Sequence, residues 1–385
     1  MEPSRQFVAT NAVSVRRIAL YLLISVSLVW IGSHLVLTRH SGGSVERLMN
    51  IPTGGSAEYI DMAQHGTMAG PAPFRYRFLV PLLVSVLPVP AELGFRIVTF
   101  TCLGLTYLVA LLTAQALGIS LRGSLIALLS LFCARTHAFN YWNPLLIDGW
   151  ALLASFLMVW ALIRGRDLVF TAASVLGTLG RESVMFLTPA IFTPKQWKRA
   201  VLPISLTVLA YLLPRILLRT PDQDLVRFYS EYDALAKFAG VRFWQNVAVA
   251  WSYLWLVLPV GMFLTPRQWR PVIFRLLAWA CLGTFIALVM AGDTERMVSY
   301  LTPFVFLATG FLVDGLKSRV LDAALIVLAP AHLLLMLATV PFPTHHHGLL
   351  TASLRLELLI VSCVAVAAIL ISLMKKGEKH FFQTS

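Results

Sequence analysis

Long apolar stretches dominate this chain, and short polar segments separate them. About ten stretches are long enough, or nearly so, to cross the roughly 30 Å hydrocarbon core of a bilayer as helices. They cover about Ile18 to Leu37, Ile97 to Gly118, Gly123 to His137, Ile147 to Arg164, Ala200 to Leu218, Gln245 to Leu264, Val272 to Ala291, Val298 to Gly315, Val320 to Val340 and Thr351 to Met374. Arg16 and Arg17 precede the first stretch, which is typical of a retained helix rather than of a cleavable signal peptide. The pattern predicts an all-α, polytopic membrane protein with about ten full spans.

Two further apolar segments do not fit as full spans. Residues Phe78 to Pro90 are too short to cross a bilayer, so we expect an interfacial or re-entrant helix there. Residues Leu168 to Phe192 carry Gly180, Arg181 and Glu182 near their centre. A charged residue halfway along a span costs about 2.5–3.5 kcal/mol, whereas a hairpin of two half-helices places the charges in water or in a protein cavity. The segment therefore predicts a half-helix hairpin with Arg181 and Glu182 at its tip.

The composition is also that of a membrane protein. Hydrophobic residues make up 58% of the 385 residues, charged residues make up 13%, and the mean hydropathy is +0.77. A soluble domain averages roughly 45–50% apolar and 25% charged residues, so the composition excludes soluble enzymes, disordered chains and secreted disulfide scaffolds. No internal repeat or Gly/Ser linker divides the chain. We therefore expect one transmembrane domain over residues 1–385.

The net charge of +13 predicts how the chain is oriented in the membrane. With the N-terminus inside and a hairpin at 168–192, the cytoplasmic segments hold roughly 17 basic residues and about 5 acidic ones, as the positive-inside rule requires. A single crossing at 168–192 would instead move the basic cluster Lys195 to Arg199 outside. We expect a multi-pass protein of a bacterial-type plasma (inner) membrane, with both termini cytoplasmic and no nucleic-acid partner. The hydrophilic loops 38–77 and 219–244 would then form an extracytoplasmic cap.

The first outer loop contains two acidic residues that are candidates for catalysis. Glu58 and Asp61 lie three residues apart and share one face if this stretch is helical. A carboxylate at a membrane surface can act as a general base because partial desolvation raises its pKa towards the working pH. The alternative is an amphipathic helix whose acids simply face water.

Basic residues on the same side are candidates for phosphate binding. Arg75 and Arg77 stand where the chain re-enters the headgroup region, where they can bind a lipid-linked phosphate or anchor to phospholipid headgroups. Arg296 lies in a short turn between two later spans, beside Asp293. A plain solvated turn is the alternative reading there.

Arg181 and Glu182 at the hairpin tip, and Asp148 at the outer end of another span, are also candidates. Ionisable residues at membrane depth are commonly paired and functional. The alternative is a structural ion pair that holds the half-helices in place. The spacing of His, Cys, Asp and Glu predicts no metal site.

Taken together, the loop acids Glu58 and Asp61, the stretch 73–81, the Gly180-Arg181-Glu182 hairpin and the turn at 292–296 resemble the GT-C superfamily of integral-membrane glycosyltransferases. This resemblance implies a GT-C-like fold and transfer of a sugar from a polyprenyl-phosphate donor to an envelope glycan, lipid or protein acceptor on the outer face. The donor is a substrate, and no separate cofactor is implied.

The resemblance also implies roles for the candidate residues. Asp61 or Glu58 would deprotonate the acceptor hydroxyl group for an inverting displacement. The donor phosphate would be held by arginines, with support from four further residues. The arginines are Arg75, Arg77, Arg181 and Arg296, and the supporting residues are Tyr59, Asp148, Glu182 and Asp293.

Two other classes of protein fit the same pattern of spans. A polytopic transporter or lipid flippase would have broken helices near the midplane and inverted repeats. A structural partner in an envelope assembly would use Arg181 and Arg296 for stability alone.

Overall fold

The computed structural model of the protein describes residues 14–40, 56–70, 74–218, 238, 240–290, 294–339, 363–364, 366–372 and 374. Within these ranges every regular element is helical, as the sequence predicts. The α-helices are α1 Val15–His40, α2 Ser56–His65, α3 Leu79–Ser85, α4 Ala91–Ala116, α5 Leu121–Cys133, α6 Arg135–Trp142, α7 Asp148–Ile163, α8 Asp167–Gly180, α9 Trp197–Leu217, α10 Val241–Trp251, α11 Leu254–Phe263, α12 Arg270–Met290, α13 Thr294–Met297, α14 Thr302–Leu316 and α15 Arg319–Thr339. Short 3-10 helices cover Thr67–Ala69, Phe74–Tyr76, Glu182–Ile191, Pro194–Gln196 and Val298–Leu301.

The centre of the bundle is built from α4, α7, α8 and α14. Helix α4 packs along α7, α7 packs along α8, and α14 packs between α5 and α11. Phe156 of α7 and Phe306 of α14 are fully buried, with their rings edge to face at 6.0 Å. A Cβ atom on Gly261 of α11 would collide with the backbone of Ala308, so this glycine lets α11 and α14 approach closely.

Five helical segments are long and apolar enough to cross a membrane. They are Val15–Leu35, Ala91–Ala116, Pro194–Leu217, Arg270–Leu288 and Val298–Leu316. These segments support a membrane protein, but the predicted count of about ten spans is not confirmed. Most of the predicted span 351–374 lies outside the described residues.

Three predicted spans are shorter or broken in the structure. Helix α7 has 16 residues, fewer than the roughly 20 that a full span needs. The predicted span 123–137 is divided at Ala134, whose extended backbone separates α5 from α6. The predicted span 245–264 is divided at Ser252, which has a φ of 49°. Hydropathy does not reveal the break at Ser252 because the residues on both sides of it are mostly apolar.

The bundle has two ends that carry charge. Helix α7 begins at Asp148 and ends at Ile163, which separates its ends by about 24 Å, and α8 begins at Asp167 and returns. We call the end that contains Tyr59, Arg77, Asp148, Arg181, Glu182 and Arg296 the charged end, because ion pairs and hydrogen bonds bring these residues together. We call the end that contains Ser120, Asp167, Arg199 and Asp314 the opposite end. Helix α14 connects the two ends of the bundle. Tyr300, just before its first residue, lies at the charged end, and Asp314, in its last turn, lies at the opposite end.

Candidate functional site: a buried arginine and carboxylate cluster

The chain reverses direction at Arg181. Helix α8 ends at Gly180, Arg181 has an extended backbone, and the 3-10 helix Glu182–Ile191 packs back along α8. The hydroxyl groups of Ser174 and Thr188 are hydrogen-bonded across the two arms. A Cβ atom on Gly177 would lie 2.6 Å from Val184, so this glycine allows the arms to meet. The break coincides with the predicted hairpin tip, and the side of the membrane on which it lies stays a prediction.

Arg77 joins the first loop to this hairpin. Its Nε and Nη2 atoms donate to the two carboxylate oxygens of Glu182 at 2.7 and 2.6 Å, which is a bidentate ion pair. Its Nη1 atom donates to the hydroxyl group of Tyr59 at 3.1 Å. Tyr59 is fully buried in α2 and packs edge to face on Phe74 at 5.4 Å. The α2 helix is thereby fixed against the hairpin tip.

Burial and the neighbouring charges shift the pKa values of this pair, which lies outside the five candidate spans. Burial alone raises the pKa of Glu182, but the Arg77 guanidinium group outweighs it and lowers this pKa from 4.5 to about 2. Burial alone lowers the pKa of Arg77, but Glu182 and Tyr59 raise it above its ordinary value. The pair is therefore fully ionised at neutral pH.

Asp148 is the centre of a second set of ion pairs. It begins α7 and is nearly inaccessible to solvent, with 8% of its side chain exposed. Arg181 forms an ion pair with its Oδ1 atom, and Arg296 donates from Nε and Nη2 to its Oδ2 atom at 2.9 and 2.7 Å. One carboxylate thus binds two guanidinium groups, which offsets part of the cost of burying them.

The two sets of ion pairs are adjacent. The guanidinium groups of Arg77 and Arg296 lie close enough to Arg181 to repel it. Tyr300, which the sequence did not single out as a site residue, lies over Arg181 with its ring centroid at 5.8 Å and contacts the hydroxyl group of Ser183. The structure therefore brings together three of the predicted arginines with three of the predicted supporting residues. The arginines are Arg77, Arg181 and Arg296, and the supporting residues are Tyr59, Asp148 and Glu182.

The two acidic candidates for the base differ in their surroundings. Asp61 accepts a hydrogen bond at 2.7 Å from the Nδ1 position of His65, one helical turn later, and 48% of its side chain is exposed. Glu58 is half-buried, and its Oε2 atom is inaccessible to solvent and has no hydrogen-bond partner. Both lie on α2 beside Tyr59, and within the described ranges no hydrogen bond or ion pair joins either carboxylate to Arg77, Arg181 or Arg296. Their catalytic roles stay predictions.

The remaining predicted residues are placed in part. Arg75 is buried, and it donates to the carbonyl oxygen atoms of Gly70 at 2.9 Å and Leu218 at 3.4 Å, which connects the first loop to the end of α9. Its role in phosphate binding stays a prediction. Asp293 lies outside the described residues, as does most of the loop 219–244. Among the residues that the structure describes, no group of three or more His, Cys, Asp and Glu residues is placed to hold a metal ion.

An apolar groove of about 520 Å³ lies beside the charged end. Helices α3, α8 and α9 form its walls, with side chains that include Phe78, Leu82, Val175, Leu179, Leu209 and Leu213. The lining residues of α9 extend from Leu206 to Leu217, and Leu218 follows them directly; this stretch is about 18 Å long. No basic residue is among its described lining residues, but Phe78 directly follows Arg77 in the chain, and Arg75 donates to the carbonyl oxygen of Leu218.

Arg215 is a basic residue of this region that the sequence did not single out. It lies in the last turn of α9, inside a stretch that reads as an apolar span. An arginine near the end of a span ordinarily extends its charged group towards water, so its position alone carried no functional signal.

Comparison with protein-family models, curated proteins and solved structures found no match for this chain. The function therefore has to be argued from the site.

Proposed function

We propose that the protein is a GT-C-like membrane glycosyltransferase that moves a sugar from a polyprenyl-phosphate donor to a glycan, lipid or protein acceptor of the cell envelope. One observation carries this proposal: an apolar groove whose lining residues Phe78 and Leu218 adjoin Arg77 and Arg75, on the same end of the bundle as an acidic helix. A polyprenyl-phosphate sugar has an apolar tail and an anionic head, so its enzyme needs this combination.

The donor would bind with its tail along α9. The groove-lining side chains of Leu209 and Leu213 are 52% and 44% exposed, so the groove is open to the surrounding lipid. The phosphate would then lie at the charged end, where Arg77, Arg181 and Arg296 stabilise negative charge. Fixed positive groups in a water-poor site stabilise a developing anion strongly because they need no reorganisation during the reaction.

The reaction would be an inverting displacement at the anomeric carbon of the sugar. A carboxylate of α2 takes the proton of the acceptor hydroxyl group while the acceptor oxygen forms a bond to that carbon. The bond from the carbon to the phosphate oxygen breaks, and polyprenyl phosphate leaves with the electron pair. Glu58 is our first candidate for the base and Asp61 the second, because the Oε2 atom of Glu58 is unpartnered whereas Asp61 already binds His65.

The location follows from the charge pattern. We place the charged end on the outer face of a bacterial-type plasma membrane and the opposite end, with Arg164, Arg166 and Arg199, on the cytoplasmic face. Both termini would then be cytoplasmic, with about ten crossings in all, and the loops 38–77 and 219–244 would cover the site. Membrane lipids, the lipid-linked sugar and the acceptor are the proposed partners.

The test is sugar transfer in proteoliposomes. The purified protein receives a panel of labelled polyprenyl-phosphate sugars and an envelope fraction as acceptor, and transfer of label and release of polyprenyl phosphate are measured. We expect the variant of the true base, Glu58→Gln or Asp61→Asn, to lose about 10²- to 10⁴-fold in rate. Glu92→Gln, which changes an acid at the start of α4, is the matched control and should keep its activity.

Full activity in both base variants would remove the proposed mechanism. Substrate uptake or lipid flipping without product formation would identify a transporter or flippase instead.

A further inference from the structure

Two arginines hold the base of the hairpin, which lies at the opposite end of the bundle from its tip. Arg199 of α9 forms a bidentate ion pair, through Nε and Nη2, with Asp167, the first residue of α8. Arg275 of α12 donates from Nε to the carbonyl oxygen of Ala190, near the end of the returning 3-10 helix Glu182–Ile191. Both α9 and α12 pack on this returning arm, which brings the two arginines to the same place.

The two arginines have unequal counter-ions. Both carboxylate oxygen atoms of Asp167 bind Arg199. Within the described part of the chain, no carboxylate lies within ion-pair distance of Arg275, and its Nη1 and Nη2 atoms have no protein acceptor. The guanidinium groups of Arg199 and Arg275 are nevertheless close enough to repel each other. An anion that accepts hydrogen bonds from both would offset this repulsion.

Further cations and an exposed indole ring adjoin this pair along the chain. Arg166 precedes α8, Lys195 and Lys198 lie at the start of α9, and all three side chains are exposed. The Trp197 side chain is 53% exposed, and Nζ of Lys198 lies 5.9 Å from its ring centroid. Tryptophan is enriched where a helix meets the headgroup layer of a bilayer. We call Arg166, Lys195, Lys198, Arg199 and Arg275 the basic cluster and place it at headgroup depth.

The surface of α9 beyond the basic cluster is apolar. Val201 and Leu202 follow Lys198 by three and four residues, so they share its face of the helix. Their side chains are 49% and 61% exposed. A ligand that binds here therefore meets cations at one end and apolar side chains at the other. This combination suits an amphiphilic anion.

We propose that the basic cluster binds the phosphate of an anionic phospholipid, with Arg199 and Arg275 as its main ligands and Lys198 beside them. The acyl chains lie against α9 at Val201 and Leu202. A free phosphate ion offers the same headgroup chemistry but no apolar part, so it satisfies only half of the site. The bound lipid joins α8, α9 and α12 at the base of the hairpin and stabilises the folded protein. This site lies at the other end of the bundle from the proposed sugar transfer and does not depend on it.

Thermal unfolding of the full-length protein in dodecyl maltoside micelles, with increasing amounts of phosphatidylglycerol, tests the proposal. A ligand that binds the folded protein alone raises the unfolding temperature with its concentration, and the dependence gives its affinity. We expect a saturable rise with phosphatidylglycerol and a clearly smaller one with phosphatidylcholine, which has the same acyl chains but no net charge. Inorganic phosphate should stabilise the protein more weakly than phosphatidylglycerol because it lacks the chains.

Single substitutions measure the contribution of each cation. A basic residue near an anionic lipid surface changes the affinity about fivefold, so Arg275→Gln and Lys198→Gln should each weaken phosphatidylglycerol binding by about that factor. The double variant should lose about 25-fold if the two act independently. Lys198 is exposed, so its variant should fold, and glutamine at 275 retains an amide donor for the carbonyl oxygen of Ala190. Arg275→Lys keeps the charge and should retain most of the affinity.

Arg319→Gln is the matched control. It removes an exposed arginine of the same end, at the start of α15, which packs on α5. It should bind phosphatidylglycerol within about twofold of the original protein. Raising the salt concentration should weaken binding to the original protein, because the cations of the cluster are partly or fully exposed.

Unchanged affinity in both Arg275→Gln and Lys198→Gln would overturn the proposal, as would equal stabilisation by phosphatidylglycerol and phosphatidylcholine. A loss in Arg319→Gln as large as that in Arg275→Gln would show that the overall charge of this end attracts the lipid, and the assignment to the cluster would fail. Equal affinity for inorganic phosphate and phosphatidylglycerol would overturn the choice of a phospholipid. All of these measurements use the protein without a sugar substrate, so their failure is distinct from a failure of the proposed function.

Discussion

Both ends of the bundle carry ion pairs, but the paired side chains differ in their exposure to solvent. At the charged end, the side chains of Arg181 and Asp148 are only 3% and 8% exposed. At the opposite end, those of Arg199 and Asp167 are 34% and 41% exposed. A buried ion pair incurs a desolvation penalty that only complete and well-placed partners offset, whereas an exposed pair has little net effect. Among the described residues, the arginines most deeply buried in ion pairs lie at the charged end, which is why we place the function there; at the opposite end Asp322 is also largely buried, but its partner Arg122 is 48% exposed.

The largest expected effect follows from removing the shared counter-ion of the charged end. Asp148→Asn leaves Arg181 and Arg296 buried without their common carboxylate, which should lower the free energy of unfolding by about 3–5 kcal/mol. Reversible unfolding in mixed micelles, followed by circular dichroism, measures the loss. A loss below about 1 kcal/mol would mean that this end is no more sensitive than a surface pair, and the contrast between the ends would fail.

A smaller effect with a characteristic pH dependence is expected at Glu182. Glu182→Gln removes the bidentate ion pair with Arg77 and should cost about 1.5–3 kcal/mol at neutral pH. Because the folded-state pKa of Glu182 is depressed to about 2, its contribution is complete above the unfolded value of about 4.5. The contribution is lost as the pH falls from 4.5 through 2.

Unfolding of both proteins between pH 7 and pH 3 checks this prediction. The difference in stability should be constant from pH 7 to about pH 5 and should have fallen to about half at pH 3. A difference that does not change between pH 7 and pH 3 would show that Arg77 does not hold Glu182 in its charged form.

Some structural features of the charged end could be predicted from the sequence. A charged pair in an apolar segment is a strong local signal, so the chain break at Arg181 could be predicted. The shared face of Glu58 and Asp61 depended on this stretch being helical, and the helix is observed as α2. The all-helical architecture follows from composition and the length of the apolar stretches.

Other features depend on tertiary packing, and the local sequence around the residues concerned does not indicate them. The ion pairs of Asp148 join residues 33 and 148 positions away, and only the arrangement of α7, α8 and α13 makes Asp148 their common partner. Arg215 looks like an ordinary residue at the end of a span until its two tyrosine neighbours, Tyr76 and Tyr211, are known. The break at Ser252 depends on one backbone conformation in an apolar stretch.

The smallest expected effect is at the opposite end, and it is the matched control for Asp148. Asp167→Asn removes the carboxylate that Arg199 binds, but both side chains reach solvent, so water replaces the lost partner. We expect a loss of about 0–1 kcal/mol in unfolding free energy and no change in sugar transfer. Raising the salt concentration should reduce even this loss, because mobile ions screen exposed charges but not buried ones. A loss as large as that of Asp148→Asn would show that both ends depend equally on their ion pairs, and burial would then no longer distinguish the proposed site.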